Sequence, residues 1–389
     1  MSQFIHGVEV LEKLDGTRPI SSPRFSVAGL IGTAPDADAD KFPLDTPVLV
    51  RTSAEATGLG SNGTLAKALD SFLTAGGGHV VIVRVEEGAT LVESLANVSG
   101  DASAYSGVHA FRAAETVVGV TPRILAAPGW THHRPSGTAN PVIGELKAVC
   151  ESLRAVAWAD APSNDPDAAL LHASEIGSDR ITPIYPAVIV FDTEEAGNRQ
   201  RYPSAHFAGI EASLPFYESA SNRPIAGIVG ISSPVEHRPL DEQGQTNVLN
   251  AAGVATVIHT DGFRTWGNRG TGADPLTQFR SVRRVMDVVA FALEQAFDWA
   301  VDRNITDQLV RDIIGSVNAY LRDLRNRGAI LGGEAFLNPT LNSQEKLRAG
   351  QVFIDFDIEP AAPLERLTFT MFRNGEYYEE LVDQILESA

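Results

Sequence analysis

Residues 257–269 read VIHTDGFRTWGNR and stand directly before two long helical patterns. In the first pattern, residues 276–302, apolar side chains recur every three or four positions, so that one stripe faces a core. The second pattern, residues 306–327, begins at Thr306, a residue type that caps helices, and ends before Gly328. The sequence therefore predicts that this stretch leads into two amphipathic helices.

The first of these helices carries its charges in the unfavourable direction. Arg280 and Arg284 lie near its N-terminus and Glu294 near its C-terminus, whereas the helix dipole favours the reverse. Asp287 and Phe291 lie on the same stripe. Two interpretations stay open: a solvated face with one stray aromatic residue, or an interface through which these residues contact a partner.

Composition places the chain among globular proteins. Its 389 residues predict two or three domains, and 43% hydrophobic with 21% charged residues allows a sizeable core. Mean hydropathy is −0.04 and no apolar run approaches the length of a membrane span, so we expect no membrane insertion. The N-terminus lacks the pattern of a secretory signal, and the single Cys150 fits a reducing compartment.

The charge balance argues against nucleic acid as a partner. There are 31 basic and 49 acidic residues, which gives a net charge of −18. A protein that binds a nucleic-acid duplex needs Lys and Arg side chains that face the phosphates and neutralise their charge. We therefore predict no nucleic-acid binding.

Residues 3–11 alternate as a strand, with Phe4, Val8 and Val10 on one side. A short terminal strand would be an unpaired edge, which proteins normally avoid. Either it folds onto its own domain, or it is an arm that adds to the sheet of a neighbour.

Residues 35–200 alternate buried strands and helices, which is typical of an α/β layer domain. Features that suggest catalysis are weak there. Gly76-Gly77-Gly78 follows a helix and precedes a strand, the reverse of a phosphate loop. His132-His133 would need distant ligands to form a metal site. We predict no cofactor, no metal and no catalytic residue.

The C-terminal quarter predicts a half-buried antiparallel pair. Val352, Ile354 and Phe356 share one face of the first strand, and residues 366–372 form the second. Residues 374–389 are too apolar for a free tail, so they dock either on their own body or on another subunit. The apolar face of the second strand comprises Leu367, Phe369 and Met371.

The chain has several characteristic stretches, at residues 7–10, 18–20, 26–34, 123–129, 222–227, 247–250, 253–257 and 262–269. Together they resemble contractile tail sheath proteins of phages and R-type pyocins. The resemblance spans nearly the whole chain and is densest over residues 203–373. At Gly270 the chain departs from the family, which often has a hydroxyl residue there. The most specific block of the resemblance comprises Gly262, Arg264, Trp266, Gly267, Asn268 and Arg269.

The resemblance implies a structural subunit that polymerises as stacked hexameric rings around an inner tube. It also implies that N- and C-terminal strands join the sheets of neighbouring subunits, and that the sheath contracts to drive the tube through the target cell envelope. The implied partners are further copies of the chain, the tail tube protein, and baseplate and tail terminator proteins. The implied location is a virion tail or contractile particle assembled in the bacterial host cytoplasm.

The predicted fold is multidomain, α/β and α+β, with extended N- and C-terminal strand arms. We expect an arm and linker (1–22), an outer α/β domain (23–202), a mixed-sheet inner domain with long helices (203–363), and a C-terminal strand and arm (364–389). Two other classes stay open: an α/β enzyme acting on a small metabolite, and a non-contractile scaffold or adhesin. Titratable residues clustered at strand ends would favour the enzyme.

Overall fold

The computed structural model describes residues 19–388. The predicted N-terminal strand with Phe4, Val8 and Val10 lies outside these residues and stays a prediction. No helix within the described range is long and apolar enough to span a membrane.

The described chain alternates strands and helices up to residue 266 and is mainly helical thereafter. The strands are β1 Ala28–Thr33, β2 Pro47–Val50, β3 Val80–Val85, β4 Ile124–Ala126, β5 Val156–Asp160, β6 Ile181–Tyr185, β7 Val188–Asp192, β8 Gly197–Arg201, β9 Ile228–Ile231, β10 Ala255–His259, β11 Phe263–Trp266, β12 Ile330–Leu337 and β13 Ile354–Pro360. The α-helices are α1 Leu65–Thr74, α2 Leu91–Ser99, α3 Ala114–Val118, α4 Pro141–Ser152, α5 Pro166–Ile176, α6 Pro203–Ser213, α7 Gln245–Ala251, α8 Arg280–Phe297, α9 Asp307–Asn326, α10 Gln344–Arg348 and α11 Glu376–Ser388.

Eight strands form the central sheet, in the order β11-β10-β6-β5-β4-β1-β3-β2. The six inner strands are parallel, and an antiparallel strand closes each edge. Side chains of β3 alternate between two cores, since Val80 and Ile82 pack with α1 and α6 while Val81 and Val83 pack with α2 and α4. The α/β prediction is confirmed as a three-layer arrangement.

The central sheet extends past the domain boundary that the sequence predicted. Strands β10 and β11 follow residue 203 in the chain but belong to the central sheet, so the expected boundary at 202/203 does not coincide with a break in it. Strand β7, expected in this series, instead forms a three-stranded sheet with β8 and β9. The division into domains stays a prediction.

Helices α8 and α9 pack with the β12–β13 ribbon around a separate core that includes Val289, Leu321 and Ile330. Helix α9 begins after Thr306, whose hydroxyl accepts from the Leu309 N–H at 3.1 Å, as the capping residue predicted. Helix α8 begins later than predicted because residues 269 and 279 form an antiparallel bridge.

The expected pairing of the two C-terminal strands is wrong for the described chain. Strand β13 pairs with β12, and residues 361–373 form no strand. The start of this stretch is instead held by two other contacts, since Ala361 N–H donates to Ala329 C=O at 3.1 Å and Glu365 pairs with Arg269. Pro363 also has no N–H to give to a ladder.

Candidate assembly interface

The C-terminal segment, residues 364–388, lies almost wholly outside the folded body. Its root is fixed by Glu365, whose Oε1 accepts from Arg269 Nε at 2.8 Å. Beyond it, helix α11 has no buried residue. Large apolar side chains are exposed along the segment, a pattern that marks protein–protein contact surfaces. They are Leu364, Leu367, Phe369, Met371, Phe372, Tyr377, Tyr378, Leu381, Val382, Ile385 and Leu386.

The motif between β10 and α8 forms one edge of the central sheet. Gly262 lies in the turn between β10 and β11 with φ +88°. Arg264 Nε donates to Asn222 Oδ1 at 2.8 Å, which ties β11 to the preceding loop. Trp266 packs edge-on against His237, with ring centroids 5.0 Å apart. These residues hold the edge strand in place.

The rest of the motif connects this edge to the helical layer. Gly267 has φ +127°, and a Cβ there would lie 2.8 Å from Ala255 Cα, so the position requires glycine. Asn268 C=O accepts from Arg280 N–H at 3.0 Å at the start of α8. Arg269 holds the C-terminal segment. The motif is therefore the junction of sheet, helices and C-terminal segment.

Gly270, where the chain departs from the family pattern, is closely packed. A Cβ at this position would lie 2.6 Å from the backbone oxygen of Asp179. The approach of that backbone explains why this chain has glycine there.

Both sequence interpretations of the α8 charges are wrong within this chain. Arg280, Arg284 and Asp287 are 3%, 1% and 1% exposed, so they neither face solvent nor offer a surface to a tube or ring. Arg280 Nε donates to Glu211 Oε1 at 2.9 Å, and Arg180 Nη1 donates to Asp287 Oδ2 at 2.6 Å. Charged residues of the central layers therefore pair with those of α8, and these ion pairs hold the helix against the layers.

Glu211 is the centre of this buried network. Trp158 Nε1 donates to its Oε2 at 2.7 Å, and Arg284 Nη1 lies 3.3 Å from its Oε1. Burial raises the pKa of Glu211, but Arg280 and Arg284 outweigh it and hold that pKa below its ordinary value. The carboxylate is therefore charged and shared by two guanidinium groups.

Phe291 packs inside the chain against the connector that precedes β1. Its ring lies 6.2 Å from that of Phe25, and the guanidinium of Arg123 stacks 4.1 Å from the Phe291 ring. Arg284 Nη2 donates to Phe25 C=O at 3.0 Å, and Ser22 Oγ lies 3.0 Å from the Tyr320 hydroxyl of α9. The connector to the N-terminal residues is thus rooted on α8 and α9.

The ribbon strand predicted from Val352, Ile354 and Phe356 begins at Ile354. Ile354 and Ile358 pack against the α8–α9 core, whereas Phe356 is 39% exposed. Sequence reasoning missed Asn318 of α9, whose side chain binds the backbone of Ala335 in β12. No sequence signal identified Asn318, since its partner lies in another element.

The described residues offer little for catalysis or cofactor binding. Within residues 19–388 no three His, Cys, Asp or Glu side chains are grouped to hold a metal ion. Two surface clefts of about 200 and 180 Å³ lie beside the N-terminus of α1 and beside His172. Both are smaller than ordinary small-molecule sites, which run from ~300 Å³ upward. Cys150 is fully buried in the core, and this burial raises the pKa of its thiol to about 12.

Comparison with known proteins identifies the class. The phage tail sheath protein central domain matches residues 103–271, and the phage tail sheath C-terminal domain matches residues 273–373. The tail sheath protein of Escherichia phage P2 is 35% identical over 404 aligned positions, covering 99% of each chain. A prophage major tail sheath protein of Pseudomonas aeruginosa (strain UCBPP-PA14) is 34% identical, covering 98% of this chain and 99% of the relative.

The fold agrees with these relationships. The helical sheath of the anti-feeding prophage, solved in its contracted state, superposes with a TM-score of 0.72 at 19% identity. The match covers 96% of this chain and all of that one. The chain belongs to the phage tail sheath family. Its relatives of 34–35% identity are tail sheath proteins, which are structural, and the enzyme alternative has no support.

Proposed function

We propose that the chain polymerises as stacked hexameric rings around an inner tube and that exchanged terminal strands link these rings into a mesh. One observation carries the proposal. Residues 364–388 expose a continuous set of large apolar side chains that their own body leaves uncovered. Burying a single such side chain in a neighbour stabilises association by about 1.5–3 kcal/mol.

The roots of the two termini support the same proposal. The connector at Ser22 contacts α9, and Ala361, which precedes the C-terminal segment, donates its N–H to the C=O of Ala329 just beyond α9. During contraction the subunit would change its position while the added strands keep their hydrogen bonds, each worth about 0.5–1.5 kcal/mol.

Further partners follow from this role. The tube protein would lie inside the rings, with baseplate and terminator proteins at the two ends and assembly in the host cytoplasm. The inner surface remains to be assigned, because Arg280, Arg284 and Asp287 are buried. Phe4, Val8 and Val10 stay candidates for the N-terminal arm strand.

Negative-stain electron microscopy of the purified chain tests this proposal. We expect hollow, helically striated cylinders from the full chain, and compact particles from a chain that ends at Pro363 or lacks residues 1–12. A finer variant, Phe369→Ser with Met371→Ser, should also fail to form cylinders, since both side chains are exposed and contribute nothing to the subunit's own fold.

The matched control is Val92→Ser with Leu171→Ser, two exposed apolar positions on the α/β layers. Cylinders from this control and none from the Phe369 and Met371 variant would support arm exchange. Cylinders of equal yield from the chain that ends at Pro363 would contradict the role of the C-terminal arm. Compact particles from the full chain at high concentration would contradict polymerisation itself.

A further inference from the structure

The order of the parallel strands creates a crevice at one end of the central sheet. From β1 the chain passes over the face that carries α1 to reach β3. From β3 it returns over the opposite face, which carries α2, to reach β4 on the other side of β1. The connections after β1 and β3 therefore lie on opposite faces of the sheet. Open α/β sheets bind ligands at such a point, outside the carboxyl ends of the strands.

A surface cleft of about 200 Å³ lies at this point. Gly63 and Thr64 line one side of it, and Pro128, which follows β4 by two residues, lines another. Thr64 N–H donates at 2.9 Å to the C=O of Thr33, the last residue of β1. The end of β8 at Arg201 completes the wall. The cleft is therefore shared by the central sheet, by α1 and by the three-stranded sheet.

The first turn of α1 is uncapped. Thr64 precedes this helix, but its hydroxyl accepts from Thr33 N–H at 3.2 Å and from Trp130 Nε1 at 3.0 Å, and it caps no amide of the helix. In the described part of the chain no acceptor binds the N–H groups of residues 65–67, and the turn carries no acidic side chain. Free amides at the positive end of a helix dipole favour a bound anion.

Two basic side chains line the same cleft. Arg201 is largely buried, and its Nε is fully buried without a hydrogen-bond partner among residues 19–388, although its Nη2 pairs with Asp192. Lys67 is half-buried, and its Nζ lies 3.6 Å from Glu195 Oε1 in a partly exposed pair. A buried N–H without an acceptor is costly. The Nε of Arg201 therefore points, independently of the helix end, to a ligand that supplies acceptor oxygens.

Other donors at this end of the sheet are already used. The carboxylate of Asp160, at the end of β5, accepts from Gly129 N–H at 3.0 Å and from Ser204 N–H at 2.9 Å. The amides of α1 and the Nε of Arg201 are thus the donors that an additional anion would take.

The chemistry of these donors favours phosphate. Its several acceptor oxygens bind amides, a guanidinium and an ammonium group at once, and Arg and Lys are the residue types that bind phosphate in proteins. The cleft is smaller than a site for a drug-sized ligand, which starts near ~300 Å³. The occupant is therefore restricted to free phosphate or the phosphate of a small monoester.

We propose that the cleft between α1 and β8 binds a phosphate group, held by the amides of residues 65–67, by Arg201 Nε and by Lys67. Lys67 belongs to α1 and Arg201 to β8, so the bound group ties the three-stranded sheet to the central layers. The inference concerns the α/β layers and depends neither on arm exchange nor on polymerisation.

Phosphorus-31 NMR of the unassembled full chain, titrated with inorganic phosphate at constant ionic strength, tests the site. We expect saturable binding by the parent chain. Lys67→Gln removes one charge-assisted hydrogen bond and should raise the dissociation constant about tenfold or more. Gln200→Glu, at an exposed position of the cleft wall, adds a negative charge and should also weaken binding. Neither substitution touches the core.

Lys147→Gln is the matched control, because Lys147 is a half-buried lysine that lines the other cleft. It should bind phosphate like the parent chain. Urea unfolding in phosphate and in chloride of equal ionic strength gives a second readout. Phosphate stabilises folded proteins in general by exclusion from their surface, so the comparison between variants is decisive. The unfolding midpoints of the parent and of Lys147→Gln should rise more than that of Lys67→Gln.

A parallel titration with glycerol 3-phosphate distinguishes the sources of the group. Tighter binding than that of inorganic phosphate assigns the site to a monoester, and weaker binding assigns it to free phosphate. The absence of saturable binding to the parent chain would overturn the inference. Equal affinity of the parent, Lys67→Gln and Gln200→Glu would overturn it as well. Cylinder formation does not enter these measurements, so their outcome is separate from that of the proposed function.

Discussion

At the scale of single residues, Glu211 holds α8 on the central layers. It is 2% exposed and is shared by Arg280 and Arg284. Glu211→Gln would leave two buried guanidinium groups without their counter-charge, so we expect the free energy of unfolding to fall by about 3–5 kcal/mol. Urea unfolding of the unassembled chain, followed by tryptophan fluorescence, measures this change.

Glu218→Gln is the control for this substitution, because Glu218 pairs with Arg223 at a half-exposed site. An exposed pair contributes about 0–1 kcal/mol, so the control should unfold close to the parent chain. Equal unfolding midpoints for Glu211→Gln and the parent would show that the buried network is not a source of stability.

The same residues show where sequence reasoning ended. The reversed charges of α8 were visible as an anomaly, since Arg280 and Arg284 oppose the helix dipole. Their partner Glu211 lies 69 residues before Arg280, in helix α6. Pairing across that separation depends on the tertiary structure, so neither a solvated face nor an external partner describes these two arginines.

At the scale of elements, α11 combines an apolar face with acidic residues and lacks any contact that buries it. We expect Leu381→Ser with Ile385→Ser to leave the unfolding midpoint of the isolated subunit unchanged, because both side chains are about half exposed. The same variant should lower the yield of cylinders, because the exposed apolar face of α11 would bury these side chains only by contacting another chain.

Sedimentation of polymerised material and urea unfolding, run on the same samples, check both parts of this expectation. The control is Glu379→Gln, which changes the acidic side of α11 and keeps its apolar face. A drop in the unfolding midpoint of the Leu381 and Ile385 variant would mean that α11 packs on its own subunit.

Elements with their own periodicity were predictable, and elements that need a distant partner were not. Helices α8 and α9 followed from apolar spacing and from the Thr306 cap. Residues 366–372 alternate like a strand but form none in the single chain. Strands β10 and β11 join the central sheet, and periodicity does not say which sheet a strand joins.

At the scale of the whole molecule, stability should decline in acid. Burial lowers the pKa of His132 from 6.5 to about 3, and the pKa values of His172 and His206 to about 4. Below pH 6.5 the unfolded chain binds protons at these sites and the folded chain does not. The free energy of unfolding therefore falls as the pH drops from 6.5 to 4. Burial raises the pKa of Asp160 to about 6, a smaller effect of opposite sign between pH 6 and 3.8.

Urea unfolding of the unassembled chain at pH 7, 5.5 and 4.5 measures this decline. In His172→Phe, the loss of unfolding free energy between pH 7 and 4.5 should be smaller by on the order of 3 kcal/mol. Both ring nitrogens of His172 lack hydrogen-bond partners and the imidazole is 1% exposed, so the folded chain resists protonation there. His79→Gln, at an exposed histidine, should leave the slope unchanged. A parent chain equally stable at pH 7 and 4.5 would contradict the assignment.

The fixing of Glu365 by Arg269 also has a mechanical consequence. A neighbour that pulls on the C-terminal segment loads two anchors one after the other, first the ion pair of Glu365 with Arg269 and then the hydrogen bond from Ala361 to Ala329. The first passes tension into the edge of the central sheet, and the second passes it into the helical module. Rupture of the side-chain anchor would lengthen the free tether while the backbone anchor still bears load, so the segment has the form of a two-stage tether.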